Sequence, residues 1–159
     1  MRKALSAFGL FLLIVMLVGC SDEVQDDLVS YWQDSMTPLL QEEKLIIGTY
    51  DSVVGANSTD DHTTYATLID DVIPKYTDYI EDVEAVTIET AELQEVHEIY
   101  VTSLKTQHAG FLTLVEAFEQ EDAALVEEAN AKLDEAKELM EAYNTGIQKL
   151  ASEHDVTFE

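Results

Sequence analysis

Cysteine occurs once in these 159 residues, proline twice, tryptophan once, and arginine nowhere after position 2. One cysteine rules out an internal disulfide, so the fold must be held by packing. Basic side chains are nearly as scarce. From position 20 onward six lysines face all 33 aspartates and glutamates, a balance of −27. With no basic patch to displace counterions, nucleic acid is excluded as a partner. An apolar content of 47% excludes a disordered acidic tail. The chain therefore reads as one well-filled domain with an acidic surface, of a size that buries roughly two-thirds of its unfolded surface. That acidity suits solubility in a salty or alkaline medium. Divalent cations such as Mg²⁺ and Ca²⁺ are expected to associate with it weakly and unspecifically, since no EF-hand loop occurs. One long apolar run exists, residues 4–19, whose 16 residues fall short of the about 20 that cross a bilayer.

That run follows Arg2 and Lys3 and ends in Leu17-Val18-Gly19-Cys20. A plain secretory leader needs small residues at its cut site but no cysteine after it. The four residues resemble the lipobox of bacterial lipoproteins. The resemblance implies cleavage before Cys20, a diacylglycerol on its sulfur, an optional N-acyl chain, and no other cofactor. Two acyl chains, at about 0.8 kcal/mol per buried methylene, hold a protein stably at a membrane where one does not. The expected divisions are a signal peptide over 1–19, a lipidated cysteine with a short tether over 20–27, and an acidic domain over 28–159. With no Gly/Ser-rich spacer, the domain should ride close to the extracytoplasmic face of the cell membrane.

Four helical segments are expected. The first spans about Asp22 to Val54, with Leu28, Trp32, Leu39, Ile46, Tyr50 and Val53 as its stripe, and the second about Asp60 to Val86, with Tyr65, Ile69, Val72, Tyr76, Tyr79 and Val83. Each contains a proline, Pro38 and Pro74, and a proline inside a helix removes a hydrogen bond and bends the rod. Thr59 or Asp60 can cap the second helix, Thr87 the third and Asp122 the fourth. The third keeps a heptad seam through Leu93, His97, Tyr100, Leu104, Gln107, Phe111, Leu114 and Phe118; the fourth does so through Val126, Ala129, Leu133, Ala136, Met140, Tyr143, Ile147, Leu150 and His154. Residues 155–159 read as frayed. Short links between helices of similar length predict an all-α, antiparallel up-down-up-down four-helix bundle with proline kinks in helices 1 and 2. The competing arrangement is a helical hairpin that completes its core by dimerising.

Catalytic signatures are missing. No histidine has an acid three positions before it, so the Glu-x-x-His pair of di-metal bundles does not occur. There is no Gly-x-Ser-x-Gly elbow and no phosphate-binding glycine loop. The expectation is no enzyme and no metal. One constellation stands out: counting along the helices brings His97, Tyr79, Trp32 and Tyr143 to one level near the inward stripes. Such a layer reads first as hydrogen-bonded core and second as a small-ligand or pH-sensing site. Gln107 and His108 form a smaller version.

The segments Tyr31-Trp32-Gln33-Asp34, Asp71-Val72-Ile73-Pro74-Lys75-Tyr76 and Glu95-Val96-His97-Glu98-Ile99-Tyr100 resemble those of small helical lipoproteins of Gram-positive bacteria, which implies location and fold but no activity. The expected role is a non-enzymatic interaction or envelope-maintenance lipoprotein with a protein partner in the envelope. The alternative is a ligand-binding or pH-sensing module built on the histidine layer, which a cavity above about 300 Å³ would favour.

Overall fold

The computed structural model describes residues 22–58 and 60–158. The lipobox with Cys20 and the candidate cap Thr59 lie outside the described residues. All regular structure among those residues is helical, in four stretches. The first comprises α1 (Glu23–Ser30), a π-helical turn (Tyr31–Met36) and α2 (Thr37–Asp51). The second comprises α3 (Asp61–Thr67), a π-helical turn (Leu68–Val72) and α4 (Ile73–Glu84). The third and fourth are the unbroken helices α5 (Ala91–Gln120) and α6 (Ala123–Glu153).

Side-chain caps start three of these elements. Asp22 accepts from the amides of Val24 and Gln25, Asp60 from Thr63, and Asp122 from Ala124, each satisfying donors that the helix leaves unpaired. The third stretch differs from expectation. Residues 86–90 are not helical, and α5 begins four residues after Thr87. Its start is held from elsewhere: the Asp27 carboxylate of α1 accepts from the Glu89 amide, the Thr90 amide and the Thr90 hydroxyl, at 3.2, 2.9 and 2.6 Å.

The π turns explain how the prolines fit. Pro38 and Pro74 each stand one residue after the start of α2 and α4, directly behind a π turn. In an α-helix a proline ring strikes the carbonyl four residues back. Here the preceding amide reaches back five residues instead, Thr37 to Trp32 and Ile73 to Leu68. A π turn carries one residue more than an α turn, so it rotates everything upstream of it. The inward positions of the first stretch are accordingly Leu28, Tyr31 and Met36, a step of three and then five. Trp32 is displaced from the core stripe. In the second stretch Thr64 and Leu68 are buried in place of Tyr65 and Ile69.

α5 and α6 contact one another along most of their length through small residues. Gly110 lies against Leu133 and Ala129, and Gly146 against Val96. The Ser103 hydroxyl donates to the Ala136 carbonyl at 2.7 Å. At 1.5 Å per residue each of these helices is about 45 Å long.

Two ends result. At one, the starts of α1 and α5 meet the end of α6: the Asp22 carboxylate lies 2.7 Å from His154 Nδ1, and Gln25 donates to the His154 carbonyl. Residues 155–158 are packed here, not frayed, because Phe158 lies against Trp32 with ring centroids 4.6 Å apart and planes tilted by 35°; Glu159 lies outside the described residues. Asp155, at φ 54°, lets the Val156 amide return to the Ala151 carbonyl, a Schellman closure. At the far end, the close of α2 meets α3 through the Thr64 hydroxyl and the Val53 carbonyl, and Tyr65 meets the close of α5 through Glu119.

Candidate functional site

The heptad seam of α5 turns His97 and Tyr100 inward, and that of α6 turns Tyr143 inward. The π turn of the first stretch presents Tyr31, and α4 presents Tyr79. These side chains meet in one buried layer, all four tyrosines at 2% exposure or less. The Tyr31 hydroxyl is 3.0 Å from His97 Nδ1 and 3.1 Å from the Tyr143 hydroxyl. Tyr100 donates to the Glu43 carboxylate at 2.9 Å, and its oxygen lies 2.5 Å from the Tyr79 hydroxyl. Since the Tyr100 proton is engaged with Glu43, Tyr79 is the donor in that contact. Tyr100 and Tyr143 stack at 4.6 Å and join the two hydrogen-bonded chains.

Three of the four residues picked out by the sequence, His97, Tyr79 and Tyr143, share this layer. Trp32 does not; it lies partly buried against Phe158, and its neighbour Tyr31 takes the place. Sequence reasoning put Tyr100 on the inward seam but not in this layer, and passed over Glu43. A signal for Glu43 existed: Leu39, Glu43, Ile46 and Tyr50 step by four, three and four, which puts a carboxylate on a seam. The smaller cluster is real too. Tyr76 donates to Gln107 Oε1 at 2.6 Å, and the Thr77 hydroxyl lies 3.1 Å from His108 Nε2.

Burial sets the protonation states. Desolvation pushes Tyr31, Tyr76, Tyr79 and Tyr100 far above the ordinary phenol range and Tyr143 up to about 12. At neutral pH these are hydrogen-bonding phenols, not nucleophiles. Burial also raises Glu43, against the lowering effect of the Tyr100 hydrogen bond, and lowers His97. His97 is 7% exposed and its Nε2 has no partner in hydrogen-bonding geometry. Only the Val83 backbone and Glu98 act on the ring in the opposite sense. In the tautomer where Nδ1 accepts from Tyr31, the proton sits on Nε2 and Tyr143 donates to Tyr31; in the other, Nδ1 donates to Tyr31 and Tyr31 to Tyr143. Such a chain can pass a proton between hydroxyls. Beside it, a surface cleft of about 330 Å³ opens past Glu43, Gln107 and Met140.

Among the described residues no group of three His, Cys, Asp or Glu is arranged to hold a metal ion, and no helix is long and apolar enough to cross a membrane.

A family model described as EMYY-motif containing lipoprotein matches residues 1–142. None of the curated proteins and none of the solved structures matches the chain. The match takes in the leader, Cys20 and all four helical stretches as far as Ala142. The chain belongs to this family and is a bacterial lipoprotein, a membrane-anchored helical bundle.

Proposed function

We propose that this member of the EMYY-motif lipoprotein family is an interaction or envelope-maintenance protein without catalytic activity, displayed on the extracytoplasmic face through a diacylglycerol on Cys20. In this reading residues 1–19 are removed, Cys20 carries the lipid on a tether shorter than the expected 20–27 because α1 already begins at Glu23, and the rest is an antiparallel up-down-up-down bundle bent at Pro38 and Pro74. The observation that carries it is the filled layer. Tyr31, Tyr79, Tyr100 and Tyr143 close the core, and their hydroxyls are used on one another, on His97 and on Glu43. What remains for function is the surface and the membrane it is held against. Crosslinking in intact cells tests this: a partner should be captured by the wild type and lost with Cys20→Ser, which has no sulfur to take the lipid. A Cys20→Ser protein that stays acylated and equally membrane-bound would end the anchoring.

A pH-sensing or small-ligand role has a narrower basis: the buried Nε2 of His97, which has no partner in hydrogen-bonding geometry, and, separately, the cleft at Glu43. A change of helix packing on protonation, lost in His97→Gln, would support that role.

A further inference from the structure

The far end of the bundle, opposite the N-terminal end that leads to the lipid, carries a groove of about 770 Å³ between α3, the close of α5 and the start of α6. Its floor is apolar, formed by Leu114, Phe118, Val126 and the ring of Tyr65. Val126 is 36% exposed there, one of the few large apolar side chains that solvent reaches. Its rim is acidic: Asp61, Glu119, Glu121 and Asp122 line it with His62, and no lysine or arginine is among the lining residues. Tyr65 donates to Glu119 at 2.8 Å, which fixes one wall. Asp122 is engaged in capping α6 through the Ala124 amide and Glu119 in accepting from Tyr65, so Asp61 and Glu121 are the rim carboxylates turned to other use.

We propose that this groove docks a basic amphipathic peptide segment of a partner protein. The charge decides among occupants. An anionic partner is repelled by the rim. A second copy of the chain brings the same acidic rim and the same balance of −27, so self-association through this face places like charges together. A segment that alternates lysine or arginine with bulky apolar residues satisfies both features: its apolar side chains enter the floor, while the long basic stems lie along the walls with their heads at the carboxylates. The groove lies about 45 Å along α5 from the end of the bundle where α1 begins. This deepens the interaction role proposed above and rests on it.

The test uses the lipidated full-length protein in discs of neutral phosphatidylcholine, with empty discs as reference. The probe is a short peptide of alternating lysine and leucine, and its counterpart one of alternating glutamate and leucine. The basic peptide should bind and the acidic one should not. Asp61→Lys with Glu121→Lys should weaken binding at least about tenfold. Glu138→Lys with Glu141→Lys, the same charge change on exposed positions of α6 outside the groove, should weaken it less than about twofold at physiological salt. Val126→Lys should weaken binding without loss of helix content or thermal stability. Equal losses in the two double variants would overturn the proposal by showing bulk charge attraction. So would dimers in sedimentation that Val126→Lys dissolves. Failure of the basic peptide while partner crosslinking in cells persists would overturn the groove and leave the interaction role standing.

Discussion

The first two helical stretches and the last two solve the same packing problem in opposite ways. α5 and α6 run for 30 and 31 residues without interruption, and small residues at Gly110, Ser103, Ala136 and Gly146 let them lie close. The first two stretches each spend one residue more on a π turn ahead of a proline. That extra residue decides which aromatic faces the core. Without it Trp32 would continue the stripe of Leu28; with it Tyr31 reaches His97 on the unbroken half. An irregular element thus delivers the polar tip, and a regular one receives it.

Single-residue deletions should break this contrast most sharply. Removing Thr102 from α5 rotates the rest of that helix by about 100° and carries Leu104, Phe111 and Leu114 off the core. The expected result is loss of cooperative unfolding in circular dichroism. Removing Asp34 from the π turn, together with Pro38→Ala, restores α geometry with registers intact on both sides, and should cost less than about 2 kcal/mol. Removing Asp34 alone leaves the proline ring facing a carbonyl and should cost about 3 kcal/mol or more. If both deletions unfold the protein alike, the π turn is not an accommodated insertion.

The layer joining the halves makes a second test at high pH. Five buried tyrosines, Tyr31, Tyr76 and Tyr79 from the interrupted half and Tyr100 and Tyr143 from the other, have phenols raised from 10.0. The unfolded chain releases those protons first, so stability is undiminished below pH 10 and falls above it. Each tyrosine contributes up to about 1.4 kcal/mol per pH unit, or roughly 7 kcal/mol per unit for all five. Tyrosinate absorbance should jump together with loss of helix between pH 10 and about 12, where Tyr143 titrates even when folded. Gradual ionisation near pH 10 with the helices intact would show the layer open to water.

Glycine should sharpen the comparison at smaller scale. A Cβ on Gly110 would lie 2.8 Å from Leu133 Cδ2 and 3.1 Å from its Cγ, whereas one on Gly48 of α2 meets nothing within 4 Å. Gly110→Val should therefore destabilise by about 1–3 kcal/mol in urea titrations. Gly48→Ala should stabilise by about 0.5–1 kcal/mol.

How much was legible in the sequence follows the same division. The leader is a contiguous motif and needs no folding to be read. On α5 and α6 spacing alone placed Leu93, His97, Tyr100, Tyr143 and Ile147, because an unbroken helix carries its register from end to end. On the first two stretches the same spacing, run through Pro38 and Pro74, placed Trp32, Tyr65 and Ile69 inward where the π turns put Tyr31, Thr64 and Leu68. Periodicity cannot register an insertion that the proline ring demands. The start of α5 escaped for another reason: the Glu89 and Thr90 amides just before it are held by Asp27, more than sixty residues away, and local capping rules see only neighbours. Phe158 on Trp32 is a long-range contact of the same kind.

The smallest expected effect tests the contact where the two halves meet, His97. Burial holds its pKa below 6.5, so the unfolded chain takes up the proton first. Stability from this group is complete above 6.5 and is lost as pH falls through that value, by up to about 1.4 kcal/mol per pH unit. His108, also lowered by burial, acts in the same direction from its more open position beside Tyr76. Glu43 acts in the opposite sense. Its raised pKa means the folded protein takes up a proton before the unfolded chain does, so a penalty present at neutral pH is relieved as pH falls towards 4.5. Asp22, lowered chiefly by its hydrogen bond to His154, keeps its contribution above 3.8 and loses it as pH falls from there through its folded pKa, so it does not enter this window. Urea titrations on either side of pH 6.5 should show the wild type losing stability on acidification. His97→Gln, whose amide oxygen can accept from Tyr31 but does not titrate, should retain more of it, while Glu43→Gln should steepen the loss. Equal slopes for wild type and His97→Gln would mean that water reaches Nε2 and that the seam between the interrupted and unbroken halves is looser than its hydrogen bonds imply.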